Sequence, residues 1–141
     1  MHVTSPSVYV KDTGTPKGRG VFALRAFGAG EVVEVCPVVV LSALRKALPV
    51  EFQDRVFHWE WRPDGNGSSA LALGYGSLYN HNNPSNMRYE VDLQTLTLRF
   101  IAVRDIGADE ELTINYSGVG GAAASSDDWW FEEKNFKPVI G

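Results

Sequence analysis

Leu78-Tyr79-Asn80-His81-Asn82-Asn83-Pro84-Ser85-Asn86 and, further on, Asp109-Glu110-Glu111-Leu112-Thr113-Ile114-Asn115-Tyr116 are the stretches whose reading decides the fold. Taken alone, the first is dense in Asn and Pro and reads as a turn with a structural histidine. The second places three carboxylates before an apolar run, the usual form of a solvated turn leading into a short strand over Glu111 to Asn115. Tyr116 at its end then has the ordinary reading of a core tyrosine. Between the two, Arg88 to Leu93 and Leu96 to Val103 flank Gln94-Thr95 as a hairpin, with Leu96, Leu98 and Phe100 alternating with Thr97 and Arg99.

Towards the N-terminus the chain again reads as short strands. Val8-Tyr9-Val10 is a first strand, followed by the turn formers of Asp12-Thr13-Gly14-Thr15-Pro16. Val21 to Ala26 and Glu31 to Leu41 are further strands joined by Phe27-Gly28-Ala29-Gly30. Pro37 has no backbone N–H, so the second of these is expected at a sheet edge or bulged at that residue. Ser42 is placed to cap a brief helix, Ala43 to Leu48, with Pro49 to stop it. Glu51 to Trp61 fits helix or strand equally, and Arg62 to Ser69 is a loop. Gly118 to Ser126 reads as a spacer before a tail carrying Trp129, Trp130, Phe131 and Phe136, and no internal repeat is visible.

Composition narrows the function classes. At 141 residues and 44% hydrophobic the chain is expected to form one globular domain. Thirteen Lys and Arg against 17 Asp and Glu give a net charge of −4, which disfavours direct nucleic-acid binding and suits a basic protein partner. The longest aliphatic run, Val38 to Leu41, is far too short to span a bilayer, and Met1 to Pro6 has no export signal. A soluble, intracellular protein with no membrane partner is the expectation. The lone Cys36 excludes an internal disulfide, and only His2 and His58 accompany His81 as imidazoles, so no metal is expected. Lys17-Gly18-Arg19-Gly20 lacks the third glycine of the dinucleotide fingerprint and leads into a strand, so by itself it is a turn.

The order of these segments carries more than any one of them. Lys17-Gly18-Arg19-Gly20-Val21-Phe22-Ala23 resembles the opening Gly-x-Gly strand of the SET domain of protein lysine methyltransferases. Asn80-His81-Asn82-Asn83-Pro84-Ser85-Asn86 resembles its Asn-His-Ser-Cys-x-Pro-Asn signature, matching at Asn80, His81 and Asn86. Asp109 to Tyr116 resembles its Gly-Glu-Glu-Leu-Thr-x-Asp/Asn-Tyr block, with Asp109 in place of the glycine. The three blocks span about residues 8 to 117. Ala72-Leu73-Gly74-Tyr75-Gly76-Ser77-Leu78-Tyr79 and the acidic-aromatic Asp127-Asp128-Trp129-Trp130 are similar to the minimal viral and bacterial members, which lack zinc-binding cysteines.

The resemblance implies a mainly β fold, β-clip-like, of small twisted sheets with few short helices and a C-terminal pseudoknot. It implies a single SET domain over residues 1–141, with a core at about 8–117, a spacer at 118–126 and a lid-like tail at 127–141. It implies transfer of a methyl group from S-adenosylmethionine to lysine in a basic protein, histone-like or ribosomal, and is compatible with a homodimer. The cofactor would meet Lys17, Arg19, Gly20, Asn80, His81 and Trp130. Tyr116 would be the catalytic tyrosine, and the lysine channel would be lined by Tyr75, Phe57, Trp59 and Tyr116. Arg55 stands where related small proteins often carry a channel tyrosine. A module that binds the cofactor or a lysine-bearing tail without turnover is the second reading. A structural β domain that self-associates through Trp129, Trp130 and Phe131 is the third.

Overall fold

The computed structural model of the protein describes residues 3–116, so the spacer and the aromatic tail with Trp130 lie outside the described residues. Among the described residues nine strands form two sheets: β1 (Val8–Asp12), β2 (Arg19–Ala23), β3 (Val32–Leu41), β4 (Val56–Trp61), β5 (Gly67–Ala72), β6 (Asn80–His81), β7 (Met87–Asp92), β8 (Thr97–Ala102) and β9 (Glu111–Ile114). One sheet has the order β1-β2-β9-β6 and the other β4-β5-β3-β8-β7. The fold is mainly β, as the resemblance implies. Among the described residues no helix is long and apolar enough to cross a membrane.

The long strand β3 serves two neighbours. Its first part, Val32 to Pro37, pairs with β8, and Val38 to Leu41 pair with β5. Pro37 is therefore in an interior strand, neither at an edge nor at the bulge, which falls between Val32 and Glu34. Its carbonyl accepts from Leu73 N–H just past the end of β5. No ladder partner is required for its nitrogen at that point, so proline is tolerated.

Several local expectations are corrected. Ser42 caps nothing: only a 3-10 turn at Arg45–Ala47 forms, and a single α-helical turn, α1 (Val50–Gln53), follows Pro49. Glu51 to Trp61 resolves into that turn and β4, while Gly67, Ser68 and Ser69, read as loop, begin β5. A Cβ at Gly67 would come within 2.2 Å of the Glu60 carbonyl, so the strand can run there only because glycine leaves the space empty. Leu96 does not alternate into the core; it is exposed with φ 54°, while Thr97 and Leu98 are both buried. Strand β8 packs on both faces, which erases the period-2 pattern.

An internal repeat is present, contrary to the sequence reading. Arg25-Ala26-Phe27-Gly28-Ala29-Gly30-Glu31 and Arg104-Asp105-Ile106-Gly107-Ala108-Asp109-Glu110 fold into the same turn. In each, the arginine pairs with the glutamate six residues on, and the glycine N–H donates 3.1 Å to that glutamate's Oε1. The residue before the glutamate has positive φ in both, +85° at Gly30 and 67° at Asp109. Phe27 and Ile106 exchange backbone bonds of 2.9 and 2.8 Å at the centre. Because β2 and β3 flank the first turn, and β8 and β9 the second, the pairings β2–β9 and β3–β8 are equivalent. With Arg, Gly, Ala and Glu alone in common, the two copies are too short to register as a repeat in sequence.

The strand that follows the second turn, β9, lies between β2 and β6 and runs parallel to β6. Asn86 fixes it there. Its carboxamide donates to Glu111 O (2.7 Å) and accepts from Thr113 N–H (2.8 Å), and the residue is buried. The backbone of Asn82 donates to Ile114 O, so the 80–86 segment wraps the last described strand. Asn86→Ala would leave a buried N–H and C=O unpaired and is expected to destabilise the fold by about 2–4 kcal/mol. Urea denaturation followed by tryptophan fluorescence measures it.

Candidate active site

Where β6 meets β9, the polar segments converge. Asn80 pairs in register with Thr113, and His81 with Ile114. The Asn80 amide donates 2.9 Å to Arg19 O and 2.9 Å to Glu111 Oε2, tying β6 to the start of β2. Lys17 Nζ lies 3.6 Å from Glu111 Oε1, with both side chains largely buried. A Cβ at Gly20 would sit 2.5 Å from Glu111 Oε2 and 2.9 Å from Thr13 Cγ2, so glycine is what lets the backbone lie against this carboxylate. Glu111 is thus the hub that joins Lys17, Gly20 and Asn80.

That role is absent from the sequence reading, which took Asp109-Glu110-Glu111 as a solvated turn. The signal available was strand parity. Glu110 ends the turn and reaches out to Arg104, whereas Glu111 is the first residue of β9 and projects the other way.

Lys17, Gly18, Arg19 and Gly20 line a cavity of about 170 Å³ with Val10, Leu78 and Arg55. A larger cavity of about 330 Å³ lies on the other side of Arg55, and Tyr116, Tyr79, Tyr89, Phe57 and Ile114 are among its walls. Arg55 is the one described residue common to both linings. Its guanidinium donates 3.3 Å to Ser77 O on the short 3-10 turn Gly76–Leu78, whose Gly76 and Ser77 line the larger cavity and whose Leu78 lines the smaller. Apolar and aromatic lining with a few placed polar groups is the composition expected of a ligand site.

Tyr116 is held at both ends. Its hydroxyl donates 2.9 Å to Tyr79 O, and its backbone N–H donates 3.0 Å to His81 Nδ1. The ring also meets His81 edge-on at 5.3 Å. An Nδ1 that accepts fixes the neutral imidazole tautomer with its proton on Nε2. Burial pushes the Tyr116 hydroxyl up to about 12, against the pull of the Arg55 charge, with Asp54 and Glu111 adding to the rise. At neutral pH Tyr116 is therefore a neutral phenol.

Of the residues expected to line a lysine channel, Phe57 and Tyr116 do face the large cavity. Trp59 does not. It is the extra residue where the β4–β5 register shifts between His58 and Glu60, and it is buried in the core. Tyr75 is not in the lining either; it packs against the core, and its N–H donates 3.0 Å to Glu34 Oε2. Sequence reasoning missed Tyr79 and Tyr89, which are core residues by pattern and cavity walls by position. Cys36 is fully buried, and burial together with the Glu34 carboxylate pushes its thiol far up, so it is inert as a nucleophile.

The SET domain sequence profile matches residues 18–117. A histone-lysine N-methyltransferase of Schizosaccharomyces pombe, specific for lysine 37 of histone H3, is 33% identical over 107 residues, 76% of this chain and 71% of the relative. The crystal structure of a Plasmodium falciparum protein assigned as a histone methyltransferase superposes with a TM-score of 0.65 at 25% identity, covering 90% of this chain and 99% of that one. CpSET8 from Cryptosporidium shares the fold, with a TM-score of 0.58 at 21% identity over 83% of this chain and 60% of its own. The chain belongs to the SET-domain family of protein lysine methyltransferases.

Proposed function

We propose that the protein transfers a methyl group from S-adenosylmethionine to the side-chain amine of a lysine in a basic protein such as a histone. The observation that carries this reading is the pair of cavities on either side of Arg55. One is lined by Lys17 to Gly20 and the other by Tyr116, so donor and acceptor can approach from opposite sides. The smaller cavity fits the methionine end of the cofactor. It offers amino-acid-sized space, the backbone of Gly18 and Gly20, and the cations Arg19 and Arg55 for a carboxylate, while Lys17 is paired with Glu111. Asn80 and His81, held beside it by β9, are the residues that would hold the nucleoside portion.

When bound, S-adenosylmethionine supplies a methyl on a positively charged sulfur, whose carbon–sulfur bond breaks as the carbon–nitrogen bond forms. The chain's own residues have three tasks. The first is to receive a neutral amine: a lysine with an ordinary pKa near 10.4 is favoured in its uncharged form by the apolar walls Phe57, Tyr89 and Ile114. The second is alignment, which can supply several kcal/mol of barrier reduction. Tyr116, pinned by Tyr79 O and His81 Nδ1, is the group positioned to orient the nitrogen. The third is to present oxygen density to the polarised methyl, as a neutral hydroxyl can without giving up its proton. With its hydroxyl pushed up to about 12 by burial, Tyr116 is a poor general base at neutral pH.

A binding module without turnover is the second reading. Arg55 favours it, because a cation occupies the junction at which amine and methyl would meet. Calorimetry of cofactor binding with and without a histone H3 peptide separates the two readings if no turnover is seen.

Tyr116→Phe is expected to lower kcat about 10²-fold or more while the cofactor Kd, measured by calorimetry, changes less than about threefold. An equal fall in both would assign Tyr116 to cofactor binding instead. Glu111→Ala, by leaving Lys17 and Asn80 without their shared acceptor, is expected to weaken cofactor binding about tenfold or more. The pH–rate profile from about 7 to 10 is expected to rise as the substrate amine loses its proton, with no limb from tyrosine ionisation. A limb in that window that vanishes in Tyr116→Phe would make the phenolate the active form.

A further inference from the structure

Glu34 lies in β3, 4% exposed, within the apolar core. A buried carboxylate is costly unless its oxygens are satisfied, and a well-packed apolar side chain of similar volume is often as stable or more so. Among the described residues no basic side chain pairs with it. Both oxygens are nevertheless used. Oε1 accepts from the Tyr79 hydroxyl at 2.5 Å, and Oε2 accepts from the Tyr75 N–H at 3.0 Å.

The turn that leads into these two partners is pressed against the carboxylate. Gly74 has φ +74°, and a Cβ there would sit 2.6 Å from Glu34 Oε2. At Gly76 a Cβ would come within 2.6 Å of Ala72 Cβ and 2.9 Å of Cys36 Sγ, so this turn is pressed on the same core. Glu34 thus clasps the segment from Tyr75 to Tyr79 at its two ends. The backbone carbonyl of Tyr79 is the acceptor of the Tyr116 hydroxyl, at 2.9 Å. A continuous chain of contacts runs from Glu34 through the Tyr79 ring and backbone to Tyr116.

We propose that Glu34 is a positioning residue for Tyr116, fixing through Tyr79 the carbonyl that aims the Tyr116 hydroxyl. The proposal rests on the reading of Tyr116 as the residue beside the transferred methyl. It explains a buried acidic side chain that core stability alone does not require, and it gives a functional role to two residues, Glu34 and Tyr79, that pattern alone places in the core.

Three variants test it with histone H3 and methyl-labelled S-adenosylmethionine. Glu34→Met keeps the volume and removes both acceptors; kcat is expected to fall about tenfold or more with cofactor Kd within about threefold of wild type. Glu34→Gln can accept from Tyr75 and donate to the Tyr79 hydroxyl, and is expected to recover activity to within about threefold. Tyr79→Phe removes the same bond from the other end and replaces Glu34→Met should that variant not fold. In a Tyr116→Phe background the Glu34 substitution is expected to cost nothing further, because residues acting as a unit are not additive.

A readout independent of turnover is the resonance of tyrosine labelled with ¹³C at Cζ, assigned by its loss in Tyr116→Phe. In Glu34→Met or Tyr79→Phe the Tyr116 signal is expected to move while that of Tyr9 stays. An unmoved Tyr116 signal, or a Glu34→Met enzyme as active as wild type, overturns the positioning role. Full activity of Tyr116→Phe itself would overturn the reading beneath it, and the two failures are thereby distinct.

Discussion

The placement of β9 between β2 and β6 is the constraint on which the site depends. A four-residue strand has little intrinsic stability, and its position is fixed by what closes around it. Asn86 supplies that closure through its carboxamide bonds to Glu111 and Thr113, with Asn82 N–H bonded to Ile114 O. Once β9 is seated, Glu111 at its start faces Lys17, Gly20 and Asn80, and Tyr116 just past its end faces Tyr79 and His81. One short strand therefore sets a carboxylate against Lys17 and Gly20 of the smaller cavity and leads Tyr116 to the wall of the larger. The polar density of Asn80 to Asn86 is the set of bonds that holds β9, where a free loop would have left those groups to water.

The two related turns explain why β9 arrives where it does. Arg25 to Glu31 and Arg104 to Glu110 close in the same way and face each other through Phe27 and Ile106. Each launches a strand that pairs with the strand entering the other, β3 with β8 and β9 with β2. The glutamate ending each turn is held by its own arginine and glycine, and Glu110 also accepts from the Asn86 amide. In the second copy it is Glu111, the following residue, that is left to serve the site.

Legibility in the sequence followed the kind of constraint. The strand-rich class, the β7–β8 hairpin and the three polar blocks were readable, because turn chemistry and short-range pattern determine them. Tyr116, Lys17, Gly20 and Asn80 are picked by motif and Phe57 by its place near Arg55, and all border the cavities or their supporting bonds. What was not readable depends on pairings remote in sequence. The bulge at Trp59 turns its ring into the core, Pro37 is tolerated in an interior strand because β5 ends beside it, and Leu96 turns outward at positive φ. Glu111 and Tyr79 escaped notice because a carboxylate after two others and a buried tyrosine have ordinary local explanations. Only the contacts of Glu111 with Lys17 and Asn80, and of Tyr79 with Glu34 and Tyr116, give them another.

Arg55 is the residue that lines both cavities, and its charge acts on Tyr116 from that position. The account therefore stands on whether a methyl group crosses that junction to a lysine. The direct measurement is incubation of the folded protein with methyl-labelled S-adenosylmethionine and histones, followed by mass spectrometry of the labelled peptides. Label on a lysine side-chain nitrogen of a discrete histone is the predicted result. Tight cofactor binding by the folded protein with no label on any lysine would contradict it, and would leave Arg55 as the barrier between two sites that do not meet.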